Sequence, residues 1–212
     1  AGKVVDIERE VKLGGPIHSK GVLILSGFLG ARFGGPGAAG APLSLHASLV
    51  FEQSYAGVDG DSASLAELCA LLSAVGGVPL RQDLAITGSV DQHGQVPAGG
   101  GVIARGVGFF DACEQRGGDG RHGVVLPAAN VPHLVLAGRV VEAARAGRFK
   151  VWPVAHVDEA LALLTDQRVG RRGEAGSYPP SSVNGRVEAG LAAMAAAARQ
   201  VRAEAEEPSD AG

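Results

Sequence analysis

The pentapeptide Gly60-Asp61-Ser62-Ala63-Ser64 connects two segments whose structure can be predicted from their periodicity. Residues 43–51, before it, alternate between apolar and mostly polar side chains, which predicts a half-buried strand. The apolar residues after it recur at helical spacing, at Leu65, Leu68, Cys69 and Leu72. Ser62 is therefore predicted to lie at a strand-to-helix turn, near backbone N–H groups that favour negative charge.

A serine in this position has two readings. Asp and Ser are both common N-cap residues, so Asp61 or Ser62 can simply cap the helix. Alternatively, Ser62 is a nucleophile, with the N–H groups at the helix start stabilising the oxyanion, provided that a base lies nearby. The pentapeptide alone leaves both readings open.

Further motifs follow one another in order along residues 4–191, and they are specific in combination although each is weak alone. They include Gly14-Gly15-Pro16-Ile17-His18-Ser19-Lys20-Gly21, Phe51-Glu52-Gln53-Ser54-Tyr55, Ala66-Glu67-Leu68, Thr87-Gly88-Ser89-Val90, Gly100-Gly101-Val102, Gly108-Phe109-Phe110-Asp111 and Ser182-Val183-Asn184-Gly185-Arg186-Val187. Together they make the chain resemble the proteolytic domain of Lon-type ATP-dependent proteases, of the variety called type B.

The resemblance implies an α+β fold, with small mixed sheets and flanking helices in a single compact domain over residues 1–205. Residues 206–212 are predicted to form a disordered tail. The resemblance also implies a serine endopeptidase that degrades unfolded or damaged proteins and assembles as a hexameric ring. No cofactor is expected within this chain, because the family handles ATP and Mg²⁺ in an AAA+ module, expected N-terminal to residue 1.

In that family a serine works with a lysine whose neutral amine takes the hydroxyl proton, and Ser62 matches the serine. The lysine lies in a motif Gly-Gly-Val-x-x-Lys, which puts Arg105 at its position here. An arginine has a side-chain pKa above about 12 and does not act as a base in proteins. The resemblance therefore implies a Ser/Lys-type peptidase domain, and Arg105 implies weak or lost activity. The alternative is a catalytically dead scaffold that forms a ring for an attached ATPase.

No other lysine can be placed at the site from sequence. The chain has four, at Lys3, Lys12, Lys20 and Lys150. Arg105 itself borders a predicted apolar helix face that consists of Val102, Gly106, Phe109 and Cys113. A guanidinium near the interior needs acceptors, and the expected supporting residues are Asp59, Asp61 and Thr87. The resemblance adds that Thr87 helps to place the dyad partner, and the alternative is that Arg105 extends into water.

Composition limits the other classes of function. The chain has 212 residues, of which 46% are hydrophobic, enough for the core of one domain. A net charge of -3 without a basic stripe argues against nucleic acid, and no apolar run is long enough to span a membrane. Cys69 and Cys113 lie on predicted apolar helix faces, which favours a reducing cytoplasm over a disulfide framework. The 33 glycines, together with an aromatic content of only 4%, suggest a bacterial gene.

Neither a metal nor a nucleotide is predicted to bind here. The six histidines do not occur at metal-ligand spacing, and the glycine-rich segments lack the pattern of a phosphate-binding loop. His18 belongs to a motif shared with the family, and it is expected to have a structural hydrogen-bonding role, with a catalytic role as the alternative.

Periodicity predicts a mixed order of elements. Strands are expected at residues 5–11, 43–51, 84–90, 95–96, 123–126 and 149–153. Helices are expected after Ser62, around Arg105, and at 140–146 and 158–164. Periodicity leaves the type of the apolar segment 22–29 open, and the family resemblance implies a helix there. A loop at 170–180 precedes a long closing helix whose apolar stripe is Val183, Val187, Leu191, Met194, Ala198 and Val201.

Overall fold

Helices and short strands alternate along the computed structural model, which describes residues 16–34, 45, 60–174 and 176–206. The helices are α1 (Pro16–Phe33), α2 (Ser64–Gly76), α3 (Val102–Gln115), α4 (Gly138–Arg145), α5 (Val157–Thr165) and α6 (Val183–Glu206). The strands are β1 (Leu84–Ile86), β2 (Gly123–Pro127) and β3 (Lys150–Val154), and a 3-10 helix, η1 (Ala128–His133), follows β2.

The three strands form one parallel sheet in the order β1-β2-β3. Each connection contains a helix, α3 before β2 and α4 before β3, because parallel neighbours need a crossover. All five residues of β2 are buried, which explains its uninterrupted apolar sequence. The architecture confirms the predicted α+β class, with a small sheet and flanking helices in one compact domain.

Successive residues of β2 face opposite layers of the core. Val125 belongs to the larger cluster, which helices α1, α2, α5 and α6 supply with Leu25, Leu68, Leu161 and Val187. Val124 and Leu126 belong to the smaller cluster, which also contains Val102, Phe110, Val140 and Phe149. The sheet therefore lies between the two clusters, and its side chains pack into both. No helix in the described ranges is long and apolar enough to cross a membrane.

The predicted strand at 84–90 and its partner at 95–96 are wrong in extent. β1 ends at Ile86, because the chain turns away at Gly88, whose φ is +143°. Gln95 makes only an isolated antiparallel bridge to His156. The predicted turn between them is present, since the Gly94 N–H donates to the Asp91 carbonyl at 3.0 Å.

Two predicted apolar stripes also need correction. In α3 the buried aromatic residue is Phe110, whereas Phe109 is only half-buried. Both rings lie near Phe149, with centroids 5.2 Å away for Phe110 and 6.3 Å away for Phe109, but only Phe110 is buried within the smaller cluster. In α6 the stripe leaves the core after Ala195, and Met194 and Val201 are exposed.

Several predicted segments lie outside the described residues. They are 5–11, 207–212 and most of 43–51, in which only Leu45 is described, as a buried residue. Glu206, the first residue of the predicted tail, is instead the last residue of α6.

The core predicts unequal effects for two leucines on helices. Leu161→Ala in α5 removes a fully buried side chain, and the free energy of unfolding should fall by about 2–5 kcal/mol. Leu23→Ala in α1 removes a side chain that is 65% exposed and should change it by no more than about 0.5 kcal/mol. Urea denaturation of both variants measures the difference, and equal losses would contradict this description of the core.

Candidate functional site

Ser62 lies in the turn that leads into α2. The N-cap position of this helix is Ala63, and no side chain accepts a capping hydrogen bond there. The Asp61 backbone carbonyl accepts from the Ser64 N–H at 2.9 Å instead. Capping by the side chain of Asp61 or Ser62, one of the two readings of the sequence, is therefore not what the structure shows.

The turn is joined to Gly88 by two backbone hydrogen bonds. The Gly88 N–H donates to the Ser62 carbonyl at 2.9 Å, and the Leu65 N–H donates to the Gly88 carbonyl at 3.2 Å. Gly88 has a positive φ that favours glycine, and a Cβ there would lie 3.1 Å from Cγ of Pro127. These contacts explain why the segment after β1 leaves the sheet.

Two serines at the start of α2 have opposite environments. Ser64 is buried, and its Oγ accepts a hydrogen bond from the Val90 N–H at 3.1 Å. Ser62 is half-buried, and its hydroxyl makes no hydrogen bond to another described residue. Ser64 is thus a structural residue, whereas the Ser62 hydroxyl is available for chemistry.

Backbone donors lie beside the Ser62 hydroxyl. The N–H groups of Ser62 and Ala63 have no hydrogen-bond acceptor within the described part of the chain. They precede the first turn of α2, where the helix dipole favours negative charge. Such donors suit the oxyanion that develops when a hydroxyl attacks a carbonyl.

Arg105 lies in the first turn of α3 and contacts the residue that follows β1. Its Nε donates to Thr87 Oγ1 at 2.7 Å, and Nη2 donates to the Gly100 carbonyl at 2.5 Å. Thr87 is 5% exposed, and its own N–H donates to the Val125 carbonyl of β2 at 3.0 Å. The guanidinium is therefore held by the end of β1 and by the turn before α3.

The expected acceptors of Arg105 are only partly found. Thr87 is a contact, Asp61 is not, and Asp59 lies outside the described residues. The expectation that Arg105 borders the interior is corrected, because the residue is exposed. The guanidinium lies over Gly101, whose φ of +67° gives α3 an N-cap without a side chain.

Ser62 and Arg105 attach to adjacent residues. Gly88 binds the Ser62 carbonyl, and Thr87, one residue earlier, binds the Arg105 side chain. Consecutive Cα atoms are about 3.8 Å apart, so both predicted residues are anchored on one short segment. The structure thereby attaches the turn of Ser62 and the side chain of Arg105 to the neighbouring residues Thr87 and Gly88.

Other nucleophiles and bases are less suitable. Burial, assisted by the charge of Asp158, raises the pKa of the Cys69 thiol to about 12, and burial also raises the pKa of Cys113. Neither thiol is substantially ionised at neutral pH. Lys20 and Lys150 are exposed, and His18 lies in α1 with a side chain outside the description.

No group of His, Cys, Asp and Glu side chains that could hold a metal ion occurs among the residues described here.

Sequence reasoning missed Asn130, in η1. Its side-chain amide makes two hydrogen bonds to Gly99: Oδ1 accepts from the Gly99 N–H at 3.0 Å, and Nδ2 donates to the Gly99 carbonyl at 2.9 Å. The only local signal is a polar residue three positions after the end of the buried strand β2. Such a signal does not identify a partner that lies 31 residues earlier.

Comparison with known proteins gives a consistent result. The model of the Lon protease (S16) C-terminal proteolytic domain matches residues 53–166. The chain is 48% identical over 163 residues to the putative Lon protease homolog of Escherichia coli (strain K12), covering 77% of this chain and 27% of that protein. The Haemophilus influenzae homolog is 44% identical over the same length, covering 77% of this chain and 26% of that protein.

A more distant relative is the archaeal Lon protease of Methanocaldococcus jannaschii, which is 35% identical over 116 residues, or 55% of this chain and 15% of that protein. The chain thus spans about a quarter of the length of its two bacterial relatives.

The two serines of the turn provide a matched test. Ser64→Ala leaves the buried Val90 N–H without its acceptor, so the free energy of unfolding should fall by about 1–3 kcal/mol. Ser62→Ala removes a hydroxyl with no described partner and should change it by about 0.5 kcal/mol or less. Urea denaturation of each variant tests this, and a larger loss for Ser62→Ala would mean that Ser62 is the structural residue.

Proposed function

Because the chain belongs to the family of Lon protease C-terminal proteolytic domains, we propose that it is the peptidase part of a Lon-type protease with very weak or no cleavage of its own. Ser62 takes the position of the nucleophile. Arg105 takes the position of the dyad lysine. The reaction class is hydrolysis of peptide bonds in unfolded or damaged proteins.

The observation that carries this proposal is that the Arg105 side chain is bound as a hydrogen-bond donor and cannot act as a base. Its guanidinium donates to Thr87 and to the Gly100 carbonyl, and it has no lone pair that can take the proton of a serine hydroxyl. Loss of a general base typically lowers the rate by about 10²–10⁴-fold. In a dyad whose members act together the loss can be larger.

The rest of the site supports binding of a peptide carbonyl. The Ser62 hydroxyl and the N–H groups of Ser62 and Ala63 are available at the start of α2. An arginine is also a strong donor to an oxyanion, so Arg105 can stabilise charge although it cannot remove a proton. Binding of a substrate chain is thus retained in this proposal, while the proton transfer is impaired.

The remaining features of the proposal rest on the family. ATP and Mg²⁺ are assigned to an AAA+ module outside this chain, in the longer protein of which this domain is a part. The assembly is a homo-oligomeric, hexameric ring, and the compartment is the bacterial cytoplasm. The bacterial relatives are about four times as long as the aligned region, which leaves room for such a module.

Arg105 equally favours a second candidate function. In this alternative the domain is a pseudo-protease that forms the ring and supports an attached ATPase, which unfolds or holds client proteins without cleaving them. The preserved turn at Ser62 then serves the fold only. The two candidates differ in one property, which is whether Ser62 contributes to any measurable reaction.

Restoring the lysine should restore catalysis. Arg105→Lys supplies an amine in the first turn of α3, where the helix dipole favours the neutral form, so a neutral base becomes available. Cleavage of an unfolded protein substrate should rise by at least about tenfold. The activity should increase with pH, because the deprotonated amine is the base.

Two controls give this result its meaning. Arg105→Gln can still donate to Thr87 but has no basic amine, so it should stay inactive. Adding Ser62→Ala to Arg105→Lys should abolish the gained activity. Strong cleavage by the unmodified chain that survives Lys20→Ala but is lost in Ser62→Ala would contradict the proposed role of Arg105.

The ring is tested separately from cleavage. When the chain is joined to the proposed ATPase module, light scattering should give the molar mass of an assembly of several protomers. The Ser62→Ala variant should give the same molar mass. Ser62→Ala should also bind unfolded clients as well as the unmodified protein if the scaffold is the function. A monomer at high concentration would contradict both candidates.

A further inference from the structure

The three consecutive glycines Gly99, Gly100 and Gly101 precede α3, and glycine restrains its own backbone less than any other residue. Glycine loses more conformational freedom on folding than any other residue. Gly101 has a φ of +67°, and the helix start that follows has no side-chain cap. A Cβ added at Gly100 would meet nothing within 4 Å, so packing does not restrain that residue either.

Asn130 supplies the restraint that the turn lacks. Its amide pairs with both backbone groups of Gly99, accepting at 3.0 Å and donating at 2.9 Å, as a neighbouring strand would do. Both bonds are partly buried, which makes their loss costly. Asn130 is itself fixed, because it lies in η1, directly after the central strand β2.

The next carbonyl along the turn holds the side chain of Arg105. Nη2 of Arg105 donates to the Gly100 carbonyl, while Nε donates to Thr87. Thr87 is attached to β2 through the Val125 carbonyl, and Gly99 is attached to the segment after β2 through Asn130. Both acceptors of the guanidinium are therefore held in place by β2 or by the segment that follows it.

We propose that Asn130 is a positioning residue for position 105, acting through the Gly99–Gly101 turn. It does not touch the reacting atoms. It sets the direction of the Gly100 carbonyl and the start of α3, and thereby the place of the side chain at position 105 relative to Ser62. Asn130 holds this position whether or not the chain cleaves peptides.

Nuclear magnetic resonance can test the proposal on the unmodified chain. The Arg105 Nε–H signal is assigned by its absence in Arg105→Lys, and its hydrogen bond to Thr87 should slow exchange with water relative to the exposed Arg116. Asn130→Ala frees the turn, so this exchange should become faster by about two- to tenfold, the equivalent of one hydrogen bond. A folded Asn130→Ala protein with unchanged exchange at Arg105 would overturn the proposal.

Two further variants separate positioning from general loosening. Val140→Ala removes a buried side chain of the smaller core cluster and leaves both hydrogen bonds of Asn130 in place, so Arg105 exchange should stay as in the unmodified chain. Asn130→Asp is similar in size, keeps the acceptor for the Gly99 N–H and loses the donor, and it should show a smaller acceleration. If Asn130→Ala does not fold, the Arg105 exchange rate in Asn130→Asp tests the proposal instead. Equal acceleration in Val140→Ala would overturn the proposal.

A kinetic arm links the position to catalysis. In the Arg105→Lys background, Asn130→Ala should lower kcat by about two- to tenfold with little change in KM, because the base is misplaced while substrate contacts remain. An unchanged kcat would overturn the proposal. If Arg105→Lys gains no activity at all, the proposed peptidase function fails, while the exchange of the Arg105 proton still decides the role of Asn130.

Discussion

The hydrogen bonds of the buried strand β2 are the constraint on which the site depends. β2 pairs with β1 and β3 and supplies side chains to both core clusters. Its Val125 carbonyl accepts from Thr87, where the chain leaves the sheet, and Asn130 follows it in η1. Because a strand buried on both faces cannot shift without losing both clusters, it is a rigid reference for the loops beside it. The turns that carry Ser62 and Arg105 are held by short chains of hydrogen bonds that start at this strand.

The start of α2 shows how function and stability are divided between neighbours in sequence. Ser64 and Ser62 are two residues apart, yet only Ser64 satisfies a buried backbone donor. Its hydroxyl ties the helix to the segment after β1, and the Gly88 backbone ties the turn to the same segment. The hydrogen bonds of Ser64 and Gly88 therefore position the Ser62 hydroxyl, which makes no structural hydrogen bond to a described residue itself. The proposed role of Ser62 as a nucleophile needs this separation, because a hydroxyl engaged in a structural hydrogen bond would have to break it before reacting.

Much of the fold was predictable, because it follows from short-range patterns. The continuous apolar run of β2 and the 3.6-residue period of α2 each indicate one element. The predictions fail where contacts between residues distant in sequence determine the end of an element or its buried face. Gly88 belongs to a sequence typical of a strand, but it binds the start of α2 instead. Phe109 and Phe110 both fit a helical period, and only the packing of the smaller core cluster shows that Phe110 is the buried one.

At the site, motifs predicted roles for the residues at positions 62, 87 and 105, and those roles remain predictions. The motifs were not enough to show that Arg105 is exposed, or that Asn130 reaches a turn 31 residues away.

The way in which Arg105 is bound also explains why it cannot be replaced by lysine without consequence. The guanidinium uses two separate N–H donors at once, one for Thr87 and one for the Gly100 carbonyl. A lysine amine has a single nitrogen on a flexible stem, so it cannot reproduce this fork. A lysine at this position would have to reach both acceptors from one nitrogen, and it would be held less firmly than the planar guanidinium. Its nitrogen could, however, exist as the neutral amine that the proposed peptidase reaction needs as a base. The arginine is therefore ordered at two points but has no lone pair to offer, whereas a lysine would offer the lone pair from a less ordered side chain.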